Sequence, residues 1–265
     1  MAFLHCTFKS VLLGREVGMN VVIPQHFYSA QDRFNQASGR KYRTLFLLHG
    51  LSDDHSAWSR YTSIERYAAA RDLAVVMPDG GRSFYTDALN GFRYWSFISE
   101  ELPSVAAEMF PLSLDYGDCF AAGLSMGGYG ALKLAMRHPE RFAAAVALSP
   151  VVDLQARFNS PQSASWLPEM VNIFGSPEQA RENGNDLFAL ADSLAGQPRQ
   201  PKLLSICGLD DFMLEDNRNF NRHMQDIAYP EFHYFEYPGN HNWIFWDRYI
   251  QDALDFLLDG KLPKK

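Results

Sequence analysis

The stretch CFAAGLSMGGYGALKLAMRHPE, residues 119–140, joins an apolar run to a helical pattern through a serine surrounded by glycines. A short apolar run that ends at a glycine predicts a buried strand, and the pattern after Ser125 predicts a helix over 126–138. A sharp turn between a buried strand and a buried helix leaves little room for side chains, which explains the glycines at 123 and 127. The stretch therefore predicts one strand–helix unit of an α/β fold, with Ser125 at the turn.

The same alternation of strands and helices extends over most of the chain. Buried strands that alternate with helices are joined by crossover connections, which produce a mostly parallel, doubly wound sheet with helices on both faces. The first two predicted strands are separated only by a turn, so they form an antiparallel hairpin at one edge of that sheet. Strands are predicted over 2–9, 15–23, 43–50, 73–80, 118–123, 142–150, 201–208 and 231–239, helices over 56–71, 96–110, 126–138, 214–228 and 242–258, and a polar loop over 29–42.

Residues 151–200, called the cap segment below, interrupt this alternation with short amphipathic pieces and no predicted strand. An insertion at this point of the chain is expected over the carboxyl ends of the strands, where ligands enter such sheets. The sequence thus predicts a single domain over residues 1–265, with the cap segment as a small helical cap inserted within it.

Composition narrows the classes of function. The 265 residues carry a formal net charge of −7, with 24 basic and 31 acidic side chains, so nucleic acid and anionic membranes are poor candidates as partners. The three cysteines Cys6, Cys119 and Cys207 are far apart and odd in number, which favours reduced thiols. No run of 18 apolar residues and no signal-peptide pattern occurs, so we expect a cytoplasmic protein without a membrane span.

The pentapeptide G-L-S-M-G at 123–127 lies between a predicted strand and a predicted helix, which is the context of a nucleophile elbow. The elbow holds its serine in a strained backbone conformation that projects the hydroxyl above the sheet. The alternative is a glycine-rich turn that binds phosphate at a helix N-terminus. No lysine follows the glycines and no G-x-G-x-x-G pattern is present, so the catalytic interpretation of Ser125 is favoured.

A nucleophilic serine needs a general base, and the base needs an acid that orients it. Of the eight histidines, His241 follows the last predicted strand and precedes the last helix, so it belongs to the same sheet edge as Ser125. Asp210 and Asp211 follow the preceding strand, and Asp153 follows the strand before the cap segment. All three aspartates satisfy the expected chain order for a triad acid.

Five segments resemble the esterase D-like branch of the α/β hydrolases, close to the tributyrin esterases and more distantly the S-formylglutathione hydrolases. They span nearly the whole chain: LFLLHGLSDDHSAW (45–58), SFYTDALNGFRYWSFISEELP (83–103), GLSMGGYGALKLA (123–135), CGLDDFMLEDN (207–217) and GNHNWIFWD (239–247). The resemblance implies the α/β-hydrolase fold. Carried over position by position, it implies a nucleophile at Ser125, a base at His241, an acid at Asp211 (in the G-x-x-D that begins at Gly208) and oxyanion-hole amides at Leu51 and Met126.

The expected function is that of a serine carboxylesterase that hydrolyses short-chain acyl esters through an acyl-enzyme, without a metal or organic cofactor. The alternatives are an S-formylglutathione hydrolase-type thioesterase, a feruloyl or acetyl-sugar esterase, an acyltransferase and an inactive binding protein of the same fold. The expected partner is a small ester, and self-association into a homo-oligomer stays open. Aromatic residues near the predicted site are candidates for the pocket walls, with Trp58 favoured because it follows the oxyanion loop: Trp58, Trp95, Phe212 and Trp243.

Overall fold

The computed structural model describes residues 1–25 and 39–264, and in that part of the chain eight strands form one mixed sheet. Most of the predicted 29–42 loop lies outside the described residues. The sheet has the order β1-β2-β4-β3-β5-β6-β7-β8. The strands are β1 Ala2–Ser10, β2 Arg15–Ile23, β3 Thr44–Leu48, β4 Ala74–Pro78, β5 Cys119–Leu124, β6 Ala144–Leu148, β7 Lys202–Gly208 and β8 Phe232–Tyr237.

The strand directions create a crevice in the middle of the sheet. The strands β3 to β8 pair in parallel with their neighbours, whereas β1 and β2 form an antiparallel hairpin that joins the sheet through β4. From β3 the chain first moves to β4 on one side and then returns to β5 on the other. Ligands bind at the carboxyl ends of strands where the winding reverses in this way. The loops that follow β3 and β5 therefore flank the expected binding site.

Helices cover both faces of the sheet, as the alternating sequence pattern predicts. Side chains of β3 show the two faces: Phe46 and Leu48 belong to one buried cluster, and Leu45 and Leu47 belong to the other. No helix among the described residues is long and apolar enough to cross a bilayer. The α-helices are α1 Ala57–Tyr61, α2 Ile64–Ala69, α3 Tyr94–Ser96, α4 Leu102–Met109, α5 Met126–Arg137, α6 Leu154–Asn159, α7 Leu167–Phe174, α8 Pro177–Glu182, α9 Leu187–Leu194, α10 Leu214–Asp226 and α11 Trp243–Asp259, with a π-helical segment Phe97–Glu101 between α3 and α4.

The predicted single helix over 56–71 is wrong, because the chain is extended at Thr62 and the region forms two helices. The Thr62 hydroxyl donates to the carbonyl of Trp58 and accepts from the amide of Ile64. Threonine side chains compete with helical backbone hydrogen bonds in this way. The amide of Ser63 donates to Asp247 of α11, so the break between α1 and α2 is fixed by a tertiary contact.

The cap segment consists of the helices α6 to α9 with a short 3-10 turn at Pro161–Ser163, and it contains no strand. Helix α7 contacts the loop that follows β4. Its carbonyls of Asn172 and Ile173 accept hydrogen bonds from the amides of Asn90 and Leu89. Because that loop leaves the carboxyl end of β4, these bonds hold α7 on the same side of the sheet as the central crevice.

Candidate active site

Ser125 occupies the sharp turn between β5 and α5 in a strained backbone conformation. Its φ of 52° lies in the left-handed region, which non-glycine residues rarely adopt, and its ψ is −118°. The strain is opposed by backbone hydrogen bonds: the Ser125 amide donates to Leu148 of β6, and the Ser125 carbonyl accepts from Val151. These bonds fix the conformation predicted for a nucleophile elbow.

The glycine at position 127 lets the start of α5 approach the end of β3. A Cβ atom added there would overlap the carbonyl oxygen of Leu48 and lie 2.6 Å from that of His49. Both atoms belong to the backbone and have little freedom to move. The elbow and the loop after β3 are therefore in direct contact, and only glycine permits this distance.

His241 and Asp211 meet through a hydrogen bond at the same edge of the sheet. The Nδ1 atom of His241, in the loop between β8 and α11, lies 2.9 Å from one carboxylate oxygen of Asp211 and 3.1 Å from the other. The Asp211 side chain is fully buried and also accepts from the amide of Met213. An ionised carboxylate only accepts, so Nδ1 carries a proton and Nε2 of the neutral ring is left as a proton acceptor.

The other two candidate acids serve different roles. Asp210 is exposed, and its amide donates to Gly239. Asp153 is the N-cap of α6, where its side chain accepts from the amide of Ala156. Of the three aspartates, only Asp211 is brought to His241.

Leu51 and Met126 lie on opposite sides of the crevice, after β3 and β5 respectively. Met126 is the first residue of α5, so its amide has no partner within the helix. Leu51 follows Gly50 in the loop that leaves β3, and the Arg82 guanidinium donates to its carbonyl at 3.3 Å. Both residues line the same cavity as Ser125 and His241. Two backbone amides at such positions can stabilise a developing oxyanion.

His49 supports the loop after β3, a role that the sequence analysis did not assign. Its Nε2 accepts from the amide of Gly80 at 2.8 Å, so Nδ1 carries the proton and donates to the carbonyl of Gly50 at 2.7 Å. The Tyr85 hydroxyl donates to the carbonyl of His49. Burial lowers the pKa of His49, in agreement with a neutral ring that donates and accepts at once. The signal in the sequence was the histidine directly after a buried strand and before the glycine.

A cavity of about 380 Å³ opens between these loops. Ser125, His241, Leu51 and Met126 line it together, so the structure places four of the five predicted catalytic and oxyanion residues around one space and holds Asp211 behind His241. The remaining lining consists mostly of apolar and aromatic side chains from several elements, including the cap segment: Phe84, Leu124, Val151, Trp166, Phe212, Met213, Trp243 and Trp246.

Only two of the four predicted pocket aromatics belong to this lining. Phe212 and Trp243 do, whereas Trp58 lies beneath Trp243, edge-on at 5.1 Å between ring centroids. The Trp58 side chain is 1% exposed and its indole N–H donates to the carbonyl of Leu48. Trp95 lies in the other buried cluster, stacked on His138. Helix α1 thus turns Trp58 toward the sheet and not toward the cavity.

Asp53 contributes a further carboxylate to the cavity wall. Its Oδ2 atom accepts from the amide of Gly50 at 3.3 Å, and its own amide donates to the Gly50 carbonyl. Burial raises the pKa of the Asp53 carboxyl above its ordinary value, although the nearby His49 and the Gly50 amide oppose that shift. The proposed catalytic roles do not require this group.

Comparisons with known proteins identify the family of this chain. The family model described as "Putative esterase" matches residues 10–257. An acetyl esterase from Caldicellulosiruptor saccharolyticus is 26% identical over 268 residues, covering 97% of this chain and 98% of the relative. Two solved structures from Staphylococcus aureus are each 33% identical and cover 97% of this chain. They are the fluorophosphonate-binding serine hydrolase FphF, with a TM-score of 0.87 over 98% of its chain, and the S-formylglutathione hydrolase FrmB, with 0.83 over 99%.

The family match covers most of the chain, and the two solved structures share its fold nearly from end to end. The strained serine at the β5–α5 turn and the crevice at the reversal of the sheet are features of that same fold. The chain therefore belongs to the esterase family of the α/β hydrolases and is a serine hydrolase of carboxylic esters.

Proposed function

We propose that Ser125, His241 and Asp211 form the catalytic triad of an esterase for short-chain acyl esters. The observation that carries the proposal is the shared cavity: the strained serine and the histidine line it together, and the histidine is bonded through Nδ1 to a buried aspartate. The hydrogen bond to Asp211 keeps the imidazole in the tautomer whose Nε2 can remove a proton.

The proposed reaction proceeds by acyl transfer through a covalent intermediate. The Ser125 hydroxyl attacks the ester carbonyl while Nε2 of His241 takes its proton, and the carbonyl π electrons move onto oxygen. The tetrahedral intermediate then expels the alcohol, which receives the proton from His241. Water, deprotonated by the same nitrogen, attacks the acyl-serine and releases the carboxylic acid, and Ser125 regains its proton.

The oxyanion is expected to bind the amides of Leu51 and Met126. Each such donor contributes about 10²- to 10³-fold in rate when it is fixed before the reaction. Fixation is supported on both sides of the site. His49, Tyr85 and Gly80 hold the loop that carries Leu51, and the rigid elbow places Met126.

A small substrate is favoured by the volume and composition of the cavity. Its size of about 380 Å³ is close to the lower end of the range for ligand pockets, about 300–1,000 Å³. Aromatic and aliphatic side chains make up most of the wall, and Val151 and Trp166 of the cap segment close part of it. The name of the acetyl esterase relative agrees with a short acyl group.

Fluorophosphonate labelling of the purified protein, read by intact and peptide mass, tests the assignment of the nucleophile. We expect one adduct on Ser125, none on Ser125→Ala, and a loss of kcat of at least about 10³-fold in that variant. A series of p-nitrophenyl esters from C2 to C8 then tests the substrate class, with kcat/KM highest at C2–C4. A folded protein that is not labelled, or is labelled elsewhere, would contradict the triad.

A thioesterase is the second candidate, because one of the similar solved structures is named an S-formylglutathione hydrolase. Glutathione carries two carboxylates, whereas the described residues that line this cavity include the carboxylate of Asp53 and no lysine or arginine. We therefore expect kcat/KM for p-nitrophenyl acetate to exceed that for S-formylglutathione. The reverse order would favour the thioesterase with the same triad.

A further inference from the structure

Asp53 is fixed at the edge of the cavity by the loop that carries Leu51. The amide of Gly50 donates to its Oδ2 atom, and a Cβ atom built on Gly50 would lie 3.0 Å from that oxygen and 3.9 Å from Cβ of Ser125. The carboxylate oxygen therefore lies within about 7 Å of Cβ of the proposed nucleophile, and both residues line the cavity.

Among the described residues, no lysine or arginine in the cavity wall compensates the charge of Asp53. Apart from His241, which the mechanism uses, Asp53 carries the only ionisable carboxyl or amine among the described residues of the lining. The Arg82 guanidinium contacts this loop through Nη1, and its Nε and Nη2 atoms donate to the Glu169 carboxylate at 2.8 and 2.7 Å. The guanidinium charge is thus largely compensated at the rim.

We propose that Asp53 is a specificity-determining residue that makes this esterase favour neutral and cationic esters over anionic ones. The inference rests on the proposed function of the Ser125 site. A fixed carboxylate beside the reacting carbonyl repels a second negative charge on the substrate and attracts a positive one.

The expected size of the effect follows from Coulomb's law. Two unit charges about 7 Å apart at an effective dielectric constant between 20 and 80 change kcat/KM by roughly three- to fiftyfold, so we expect about tenfold. The carboxylate also acts on the developing oxyanion and on the imidazolium of His241. That effect is common to all substrates and cancels when charged and neutral esters are compared as a ratio.

The test uses aryl acetates that differ in the charge of the leaving group. The anionic pair is 3-acetoxybenzoate with methyl 3-acetoxybenzoate, and the cationic pair is 3-acetoxy-N,N,N-trimethylanilinium with 3-tert-butylphenyl acetate. The variant Asp53→Asn removes the charge but keeps an oxygen that can accept from Gly50. We expect it to raise the anionic-to-neutral ratio of kcat/KM about tenfold and to lower the cationic-to-neutral ratio by a similar factor.

Asp54→Asn is the matched control, because it changes the net charge equally at the adjacent exposed residue, whose carboxylate caps Ser56. It should leave both ratios within about twofold. Ratios that do not change in Asp53→Asn, or that both change in the same direction, would overturn the inference. If Asp53→Asn does not fold, the test is made on the wild type at increasing NaCl concentration, because salt screens the charge of Asp53. The anionic-to-neutral ratio should then rise and the cationic-to-neutral ratio should fall. A wild type that hydrolyses no neutral acetate would instead refute the proposed function.

Discussion

Position 127 shows how one missing side chain determines the geometry of the proposed site. The backbone of α5 contacts the carbonyls of Leu48 and His49 there. The elbow thus touches the loop after β3 that carries Leu51, which is called the oxyanion loop below after its proposed role. The left-handed backbone of Ser125 is held beside that contact by hydrogen bonds to Leu148 of β6 and from Tyr129 of α5. Strain at a reacting residue persists only where the surrounding structure fixes it.

Gly127→Ala should therefore reduce catalysis far more than it reduces stability. The added methyl must displace the backbone at Leu48 and His49, which shifts Leu51 relative to Ser125 and should lower kcat about 100-fold or more. The free energy of unfolding should fall by about 1–3 kcal/mol. Steady-state kinetics and urea unfolding measure the two quantities.

Gly14→Ala provides the comparison for that variant. Gly14 lies in the β1–β2 turn with a φ of 64°, and no atom lies within 4 Å of a Cβ built there. Alanine at this position therefore introduces conformational strain but no clash. We expect lower stability and an unchanged kcat. If Gly127→Ala kept the wild-type kcat, the contact between the elbow and the oxyanion loop would not be needed for catalysis.

The residues that could be predicted from the sequence are those fixed by chain order. Ser125, His241 and Asp211 each follow a strand of the parallel part of the sheet, and parallel strands bring their carboxyl ends together. Trp58 could not be placed in this way, because its direction depends on the tertiary break between α1 and α2. The supporting role of His49 depends on Gly80, which lies 31 residues away in the chain.

At the scale of elements, one ion pair connects the cap segment to the oxyanion loop. Arg82, in the loop after β4, donates to the carbonyl of Leu51 and makes a two-point contact with Glu169 of α7. Arginine suits this position because its planar group can bind a carboxylate with two parallel hydrogen bonds. The cap segment is thus linked to the loop whose Leu51 amide we propose to bind the oxyanion.

Glu169→Gln should lower kcat/KM by about two- to fivefold at low salt. The effect is small because the two side chains are 48% and 39% exposed, and exposed ion pairs contribute little. Wild-type activity in about 1 M NaCl should approach that of the variant, since salt screens the pair. Asp259→Asn removes a remote exposed partner of Lys261 and should change neither quantity. Equal salt dependence in the wild type and Glu169→Gln would contradict the link.

At the scale of the whole molecule, the sequence predicted a parallel sheet with a hairpin at its edge, but not the order of the strands. The hairpin attaches through β2 to β4, and β3 lies between β4 and β5. Strand order depends on which helices cover which face, and local patterns do not contain that information. The contact of α7 with the loop after β4 also could not be predicted, because it joins two parts of the chain that are far apart in sequence.

Lys133 joins three of these distant parts in the interior. It lies on α5 with no exposed surface, and its Nζ atom donates to the Thr86 hydroxyl and to the side-chain oxygen of Asn185 in the cap segment. Burial, reinforced by the nearby charge of Arg137, lowers the pKa of Lys133 well below its ordinary value. Lys133 should therefore contribute to the pH dependence of the stability of the fold.

The sign of that dependence follows from proton binding. Between the folded-state pKa and about 10.4, the unfolded chain binds a proton at Lys133 that the folded protein does not, so raising the pH stabilises the fold by about 1.4 kcal/mol per unit. Lys133→Met cannot show this gain. We therefore expect urea unfolding from pH 6 to 9.5 to show that the free energy of unfolding of the wild type increases relative to that of Lys133→Met as the pH rises. Lys202→Met, at an exposed site on β7, should follow the wild type. A difference for Lys133→Met that stays constant over the whole range would mean that the buried lysine keeps its proton in the folded protein.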